Sequence, residues 1–202
     1  MITYYPDYLY GVQIDSVDNE KLFNHCLTIE TALDHITPPV KDTGWYGNKS
    51  SANNSYYNLF TFPVGELNQL YTELVKNITP LLDPNKRYVL KSWMNVYRAG
   101  QNVQWHKHWP PEFEVWHGFY CVKVGESSTQ YKIPGAPDVI TIKSEPGLLV
   151  IGKSDGDLHK STEWNVKEYP RITLAFDIIP IDKLNPTEDF IGVVINHYIP
   201  FK

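Results

Sequence analysis

The stretch Trp93-Met94-Asn95-Val96-Tyr97-Arg98-Ala99-Gly100-Gln101-Asn102-Val103-Gln104-Trp105-His106-Lys107-His108 decides how the rest of this chain is read. Its first part closes a run, Tyr88–Tyr97, rich in aromatic and β-branched residues, which predicts a strand. Along that strand Trp93, Asn95 and Tyr97 fall on one face. After the turn signal at Gly100 the chain re-extends, and His106 and His108, two residues apart, again share a face. Two imidazoles on one side of an extended segment suit two ligands of one metal ion. A third ligand must come from elsewhere. The best candidate is His159, in Ser154-Asp155-Gly156-Asp157-Leu158-His159, just beyond the apolar run Leu148–Ile151. The plainer alternative is that these are surface histidines in a loop.

Working outward, the chain changes character near Lys86. Before it, Leu22, Phe23, Cys26, Ile29, Leu33 and Ile36 recur at helical steps behind the N-cap candidate Asp18, and this helix should stop before Pro38-Pro39. Leu67, Leu70, Tyr71, Leu74, Val75 and Ile78 form the stripe of a second helix over about Val64 to Leu82. Between them lies a polar connector, Lys41 to Asn58, which carries Trp45, Tyr46 and Tyr56 and reads as a lid or as an ordinary loop. After Lys86 come short β-rich runs separated by Gly, Pro and Asp: Tyr88–Tyr97, Trp116–Val124, Thr129–Ile133, Val139–Ile142, Leu148–Ile151, Ile172–Ile179 and Gly192–Ile199. Helices followed by strands predict an α+β, mainly β protein whose strands form a sandwich or barrel. We read residues 1–202 as one domain, with 1–85 a helical N-terminal part and 86–202 the β core.

The second chemical signal is Arg171-Ile172-Thr173, which opens an apolar run. A guanidinium is costly to bury unpaired, and Thr173 shares its face. Together they present a planar cationic fork and a hydroxyl suited to one carboxylate, either a ligand's or a structural Asp or Glu at the rim. Asn95 and Tyr97 are placed to hydrogen-bond such a ligand, or to form a core ladder. Trp105, Trp109 and Trp116 surround the histidine pair, to line a pocket or seal the barrel mouth. His117 reads as structural, and His25, His35 and His197 as background.

In this order, Tyr97-Arg98-Ala99-Gly100-Gln101, His106-x-His108, a strand around Phe119–Val124, Pro146-Gly147-Leu148-Leu149-Val150, His159 and Arg171-x-Thr173 resemble the motifs of the 2-oxoglutarate- and iron(II)-dependent oxygenases. The likeness spans roughly residues 88–180 and is strongest to the prolyl-4-hydroxylase-like branch, including small members of phages and marine bacteria. It implies a double-stranded β-helix, a jelly-roll or cupin-like barrel with the N-terminal helices packed on one sheet. It implies iron(II) held by His106, His108 and His159, and 2-oxoglutarate held by Arg171 and Thr173 with Asn95 and Tyr97 nearby. The activity implied is hydroxylation of a small molecule or peptide with O2, releasing succinate and CO2. The chain departs from the family pattern where His108 stands in place of the usual carboxylate. Glu112 or Glu114 is the nearest replacement in sequence. Glu112 also supports a rival likeness to the cupins, a metal-dependent dioxygenase or isomerase without 2-oxoglutarate. A non-catalytic binding barrel is the third reading.

Composition narrows the class. The formal net charge of −5, with no run of Lys or Arg, disfavours nucleic acid as a partner. The cysteines, Cys26 and Cys121, lack metal-type spacing and read as buried free thiols. No apolar run approaches the length of a membrane span, and the N-terminus lacks a signal-peptide pattern. The expectation is a soluble, cytoplasmic protein, which the phage side of the resemblance extends to an infected host cell.

Overall fold

The computed structural model describes residues 1–36, 57–184 and 197–202. Among these residues, ten strands and two α-helices occur in the order β1 (Ile2–Tyr5), β2 (Leu9–Gln13), α1 (Asn19–Ile36), α2 (Gly65–Ile78), β3 (Tyr88–Tyr97), β4 (Trp116–Lys123), β5 (Ser128–Lys132), β6 (Ile140–Lys143), β7 (Leu148–Lys153), β8 (Leu158–Ser161), β9 (Arg171–Pro180) and β10 (Ile199–Pro200). Seven strands make one antiparallel sheet, β1-β2-β7-β4-β9-β3-β10. Three make a smaller one, β6-β5-β8. The segment after β3 lies along β8 through isolated bridges Gln101↔Trp164 and His106↔His159. The small sheet therefore faces the large one as the second wall of a double-stranded β-helix.

Strand β9 explains how one sheet serves two environments. All ten of its residues are buried. Ile172, Leu174, Phe176 and Ile178 join the core shared with the helices, including Leu22, Cys26, Leu67, Leu70, Leu74 and Ile78. The alternate residues Arg171, Thr173 and Asp177 project to the barrel interior, as the two-residue period of a strand requires. A second apolar cluster includes Leu9, Cys121, Tyr131, Ile142 and Val150.

The helices begin where the local chemistry allows. Asp18 Oδ1 accepts from the Lys21 backbone N–H at 3.1 Å and caps α1. Helix α2 ends at Ile78, short of the expected Leu82, and continues as a 3-10 turn, Thr79–Leu81. Pro80 has no N–H to donate and its ring crowds the preceding turn. Two strands, β1 and β2, occupy the start of the region expected to be helical. They are short, split by a tight turn with Asp7 at φ 59°, and give no long alternation to read. Strand β8 was not foreseen either, so His159 lies inside a strand and not in a loop after β7.

Residues 37–56 lie outside the described residues. This covers the helix stop at Pro38-Pro39, the candidate lid and its Trp45, Tyr46 and Tyr56. The end of that connector is anchored. Tyr57 Oη accepts from Met94 N at 2.8 Å, and Asn58 Nδ2 donates to Leu90 O at 2.9 Å. The expected strand Gly192–Ile199 also falls mostly outside, leaving β10 at its end. Both cysteines are free and buried. Among the described residues no helix is long and apolar enough to cross a membrane.

Gly118, in β4, sits where the large sheet has no room for a side chain. A Cβ there would lie 2.1 Å from Val150 O and 2.6 Å from the Phe176 ring. We expect Gly118→Ala to lower unfolding free energy by about 1–3 kcal/mol, since overpacking forces the backbone apart. Urea denaturation checks this, and an unchanged midpoint would contradict the close packing of β4 against β7.

A candidate metal centre

His106 and His159 face each other through a two-way backbone bridge, His106 N to His159 O at 3.0 Å and His159 N to His106 O at 2.9 Å. This pairing brings their rings to 4.3 Å between centroids. His108 follows two residues later, its ring 5.4 Å from His106 and 5.0 Å from His159. One nitrogen from each of the three lies within 4.8 Å of the others, a set that could hold one metal ion.

The second nitrogen of each ring is engaged. His106 Nδ1 is 2.8 Å from the Gln104 carbonyl, which can only accept, so the lone pair falls on Nε2. His108 Nδ1 donates to Asp177 Oδ1 at 2.6 Å, and Trp109 Nε1 donates to Asp177 Oδ2 at 3.0 Å. His159 Nδ1 lies 3.3 Å from Asp157 Oδ2. Such outer partners orient imidazole ligands and raise their basicity.

Burial lowers the His106 pKa to about 4, with a smaller push from His108. Burial also holds His159 well below the usual range, against the attraction of Asp157. Both rings are therefore neutral, as ligands must be, near neutral pH. Burial would raise the carboxyl of Asp177, but His108 and the hydrogen bonds from His108 and Trp109 outweigh it and keep it ionised. Asp157 is likewise held low, by His117 and His159.

An interior cavity joins these histidines to Trp93, Asn95, Tyr97 and Thr173. Arg171, the next inward residue on the face of Thr173, is 2% exposed. Its Nε and Nη1 have no hydrogen-bond partner, and its guanidinium carbon lies 5.1 Å from the Tyr97 ring centroid. Asn95 Nδ2 reaches Thr173 Oγ1 at 3.5 Å, while Asn95 Oδ1 is unpartnered. The Tyr97 hydroxyl is pushed up to about 12 by burial, opposed by the Arg171 charge and by hydrogen bonds with Ser161 and Thr173. A buried cation with two unmet donors, flanked by amide and hydroxyl groups, calls for an anion.

Six of the seven residues singled out from the sequence line one cavity, and Arg171 lies beside it, against the Tyr97 ring. Trp105 and Trp109 line an open groove of about 530 Å³ that also touches His106 and His108. Trp116 does not join them; it packs in the helix-facing core, stacked on Tyr10. Glu112 is exposed on the turn Pro111–Phe113, and Glu114 pairs with Lys86, so neither supplies a carboxylate to the histidines. The carboxylates that approach them are Asp157 and Asp177. His117 is also central, its ring 4.9 Å from both His108 and His159. Asp177 could have been found by extending the face Arg171, Thr173 two steps further. Asp157 stands two residues before His159, but His117 carries no local signal.

No protein-family model and no curated protein matches this chain. Solved structures do. A prolyl-4-hydroxylase of Pseudomonas putida superposes with a TM-score of 0.58 at 10% identity, covering 85% of this chain and 91% of its own. A prolyl hydroxylase of Trichoplax adhaerens, solved with a hypoxia-inducible-factor peptide, gives 0.59 at 10% identity over 88% and 86%. The carbocyclase SnoK of nogalamycin biosynthesis, a non-haem α-ketoglutarate-dependent enzyme, gives 0.60 at 10% identity over 87% and 81%. At this identity the likeness establishes the fold alone: a double-stranded β-helix with helices packed on the larger sheet, the fold these enzymes share.

Because the Asp177 pKa is lowered on folding, its charge stabilises the fold above the unfolded value of about 3.9, and this is lost as pH falls through the folded value. In metal-free protein, the stability gap between wild type and Asp177→Asn should be constant from pH 7 to 5 and shrink below about pH 4. Denaturant titrations at each pH measure it. A gap unchanged down to pH 3 would refute the lowered pKa of Asp177.

Proposed function

We propose that this protein is a non-haem iron(II)- and 2-oxoglutarate-dependent oxygenase that hydroxylates a small molecule or peptide. The observation that carries the reading is Arg171. A buried guanidinium with two unmet donors stands behind Tyr97 and beside Thr173, residues that line a cavity together with a cluster of three imidazoles. A metal alone would not need that cation, and a purely structural arginine would have a carboxylate. The oxygenase fold is consistent with both.

In this reading His106, His108 and His159 hold the metal through neutral nitrogens, a donor set that suits iron(II) among other divalent ions. Arg171 and Thr173 bind the far carboxylate of 2-oxoglutarate by charge-assisted hydrogen bonds, and Asn95 and Tyr97 close around it. With O2, the loaded centre supplies the oxidising power, leaving succinate, CO2 and hydroxylated substrate. The chain's share is orientation, exclusion of water and charge balance. Asp177 behind His108 and Asp157 behind His159 place two negative charges next to the ligands, compensating for the carboxylate that His108 replaces. Substrate enters past Trp105 and Trp109, the groove next to His106 and His108. The setting we assign is the cytoplasm.

The test is anaerobic. Iron(II) followed by 2-oxoglutarate should produce a visible charge-transfer band in the wild-type protein. Arg171→Gln should weaken 2-oxoglutarate binding by about 100-fold, the loss of one charge-assisted hydrogen bond worth roughly 1.5–3 kcal/mol. Iron binding with no band and no effect of Arg171→Gln would replace this reading by a cupin-type enzyme without 2-oxoglutarate. No iron binding at all would leave a non-catalytic barrel.

A further inference from the structure

Deeper in the barrel, beside the three histidines already described, His117 of β4, Asp157 before β8 and His159 of β8 form a second cluster. They are 2%, 1% and 8% exposed. One oxygen, Asp157 Oδ2, lies 3.3 Å from His117 Nε2 and 3.3 Å from His159 Nδ1. A charge-assisted N–H···O⁻ bond closes to about 2.7–2.9 Å. Both contacts are longer, although nothing at the surface holds these buried groups apart. An ion bound tetrahedrally with bonds of about 2.0–2.1 Å keeps its ligand atoms roughly 3.3–3.4 Å from one another. The spacing is that of a cation's coordination shell as well as that of two long hydrogen bonds.

Unmet polar atoms beside Asp157 favour the first. His117 Nε2 is fully buried and has no hydrogen-bond partner, despite its proximity to the carboxylate. The hydroxyl of Tyr131 is also buried and unpartnered. The Tyr131 ring stacks on His159 at 5.2 Å and lies 6.4 Å from His117. Burial, and after it the charge of Asp157, opposes ionisation of this tyrosine. Buried polar atoms of this kind are rarely left unsatisfied, and two beside one carboxylate mark a place for an ion or water. The neighbouring backbone leaves room for the ring, since a Cβ at Gly152 would lie 3.3 Å from His117 Nε2.

We propose that His117, Asp157 and His159 form a second, inner site for a divalent transition-metal cation, sharing His159 with the outer trio. Two imidazoles and a carboxylate suit zinc, iron(II) or cobalt(II). His159 uses Nδ1 for the inner ion and Nε2 for the outer one, so filling both sites releases its ring proton to solvent. The inner site is buried, and its ion clamps β4 to β8 and fixes the plane of the shared imidazole, its three protein ligands leaving a fourth position for water. This assignment does not depend on which co-substrate the outer site takes.

The experiment uses the full chain, stripped with chelator, reloaded anaerobically with cobalt(II) and desalted. Metal is counted per chain, and the visible cobalt spectrum is recorded. The expected count is two for wild type, one for Asp157→Asn and for His117→Ala, one for His106→Ala, and none for His159→Ala. Far-UV circular dichroism confirms that each variant folds, and the wild-type count needs no variant. A wild-type count of one, unchanged in Asp157→Asn, would overturn the inner site and leave the outer one standing. Two ions insensitive to both inner substitutions would overturn it as well. A single ion lost in His117→Ala but kept in His106→Ala would support the inner site and sink the outer assignment instead.

Discussion

The antiparallel bridge between His106 and His159 is the constraint on which the barrel mouth depends. It is made by backbone groups, so it fixes the two chain segments before any side chain is considered. One segment leaves the large sheet at Tyr97, and the other is a strand of the small sheet. Joining them closes the second wall of the barrel and sets two imidazoles side by side, 4.3 Å apart and tilted. His108 follows from chain geometry, and the cavity lies between these rings and the inner face of β3 and β9. A histidine at either position in a free loop would lose this ordering and spend its binding energy on immobilisation.

Charge is the second organising quantity. The barrel interior holds Arg171, Asp157 and Asp177, each no more than 4% exposed, although burying an isolated ion costs several kcal/mol. The two carboxylates are repaid by histidines and an indole. Arg171 has only the face of Tyr97 and neighbouring hydroxyls. The interior is thus electrostatically polarised along β9, with anionic groups at the histidine end and an uncompensated cation at the other. That gradient suits a dicarboxylate placed with one end on a metal and the other on the guanidinium.

Much of this was legible from local pattern. The limits of β3 came out at Tyr88 and Tyr97 because ten residues of β-favouring composition end in a glycine turn. The His-x-His pair and Arg-x-Thr pair were readable because a strand's period of two assigns faces without tertiary knowledge. What failed was non-local. His117 is one aromatic among many until the fold brings β4 beside β8. Glu112 and Glu114 looked apt by sequence distance, but a positive φ at Glu114 and its partner Lys86 turn that segment to the surface. Strands β1 and β2 exist because β7 offers an edge with matching register, from Leu9↔Gly152 to Gln13↔Leu148. No feature of the first thirteen residues alone announces that edge.

The long ladder between β3 and β9, from Tyr88↔Pro180 to Tyr97↔Arg171, has a consequence for how the molecule comes into being. It pairs the first strand of the barrel core with its last long one, so nearly the whole core sequence must be looped out before the pairing is rewarded. Contacts of such high order form late and make folding slow. The cavity is bounded by both strands and cannot exist earlier than their meeting. Ligands that need it can act only on the finished barrel, as locks on the native state and never as seeds for it.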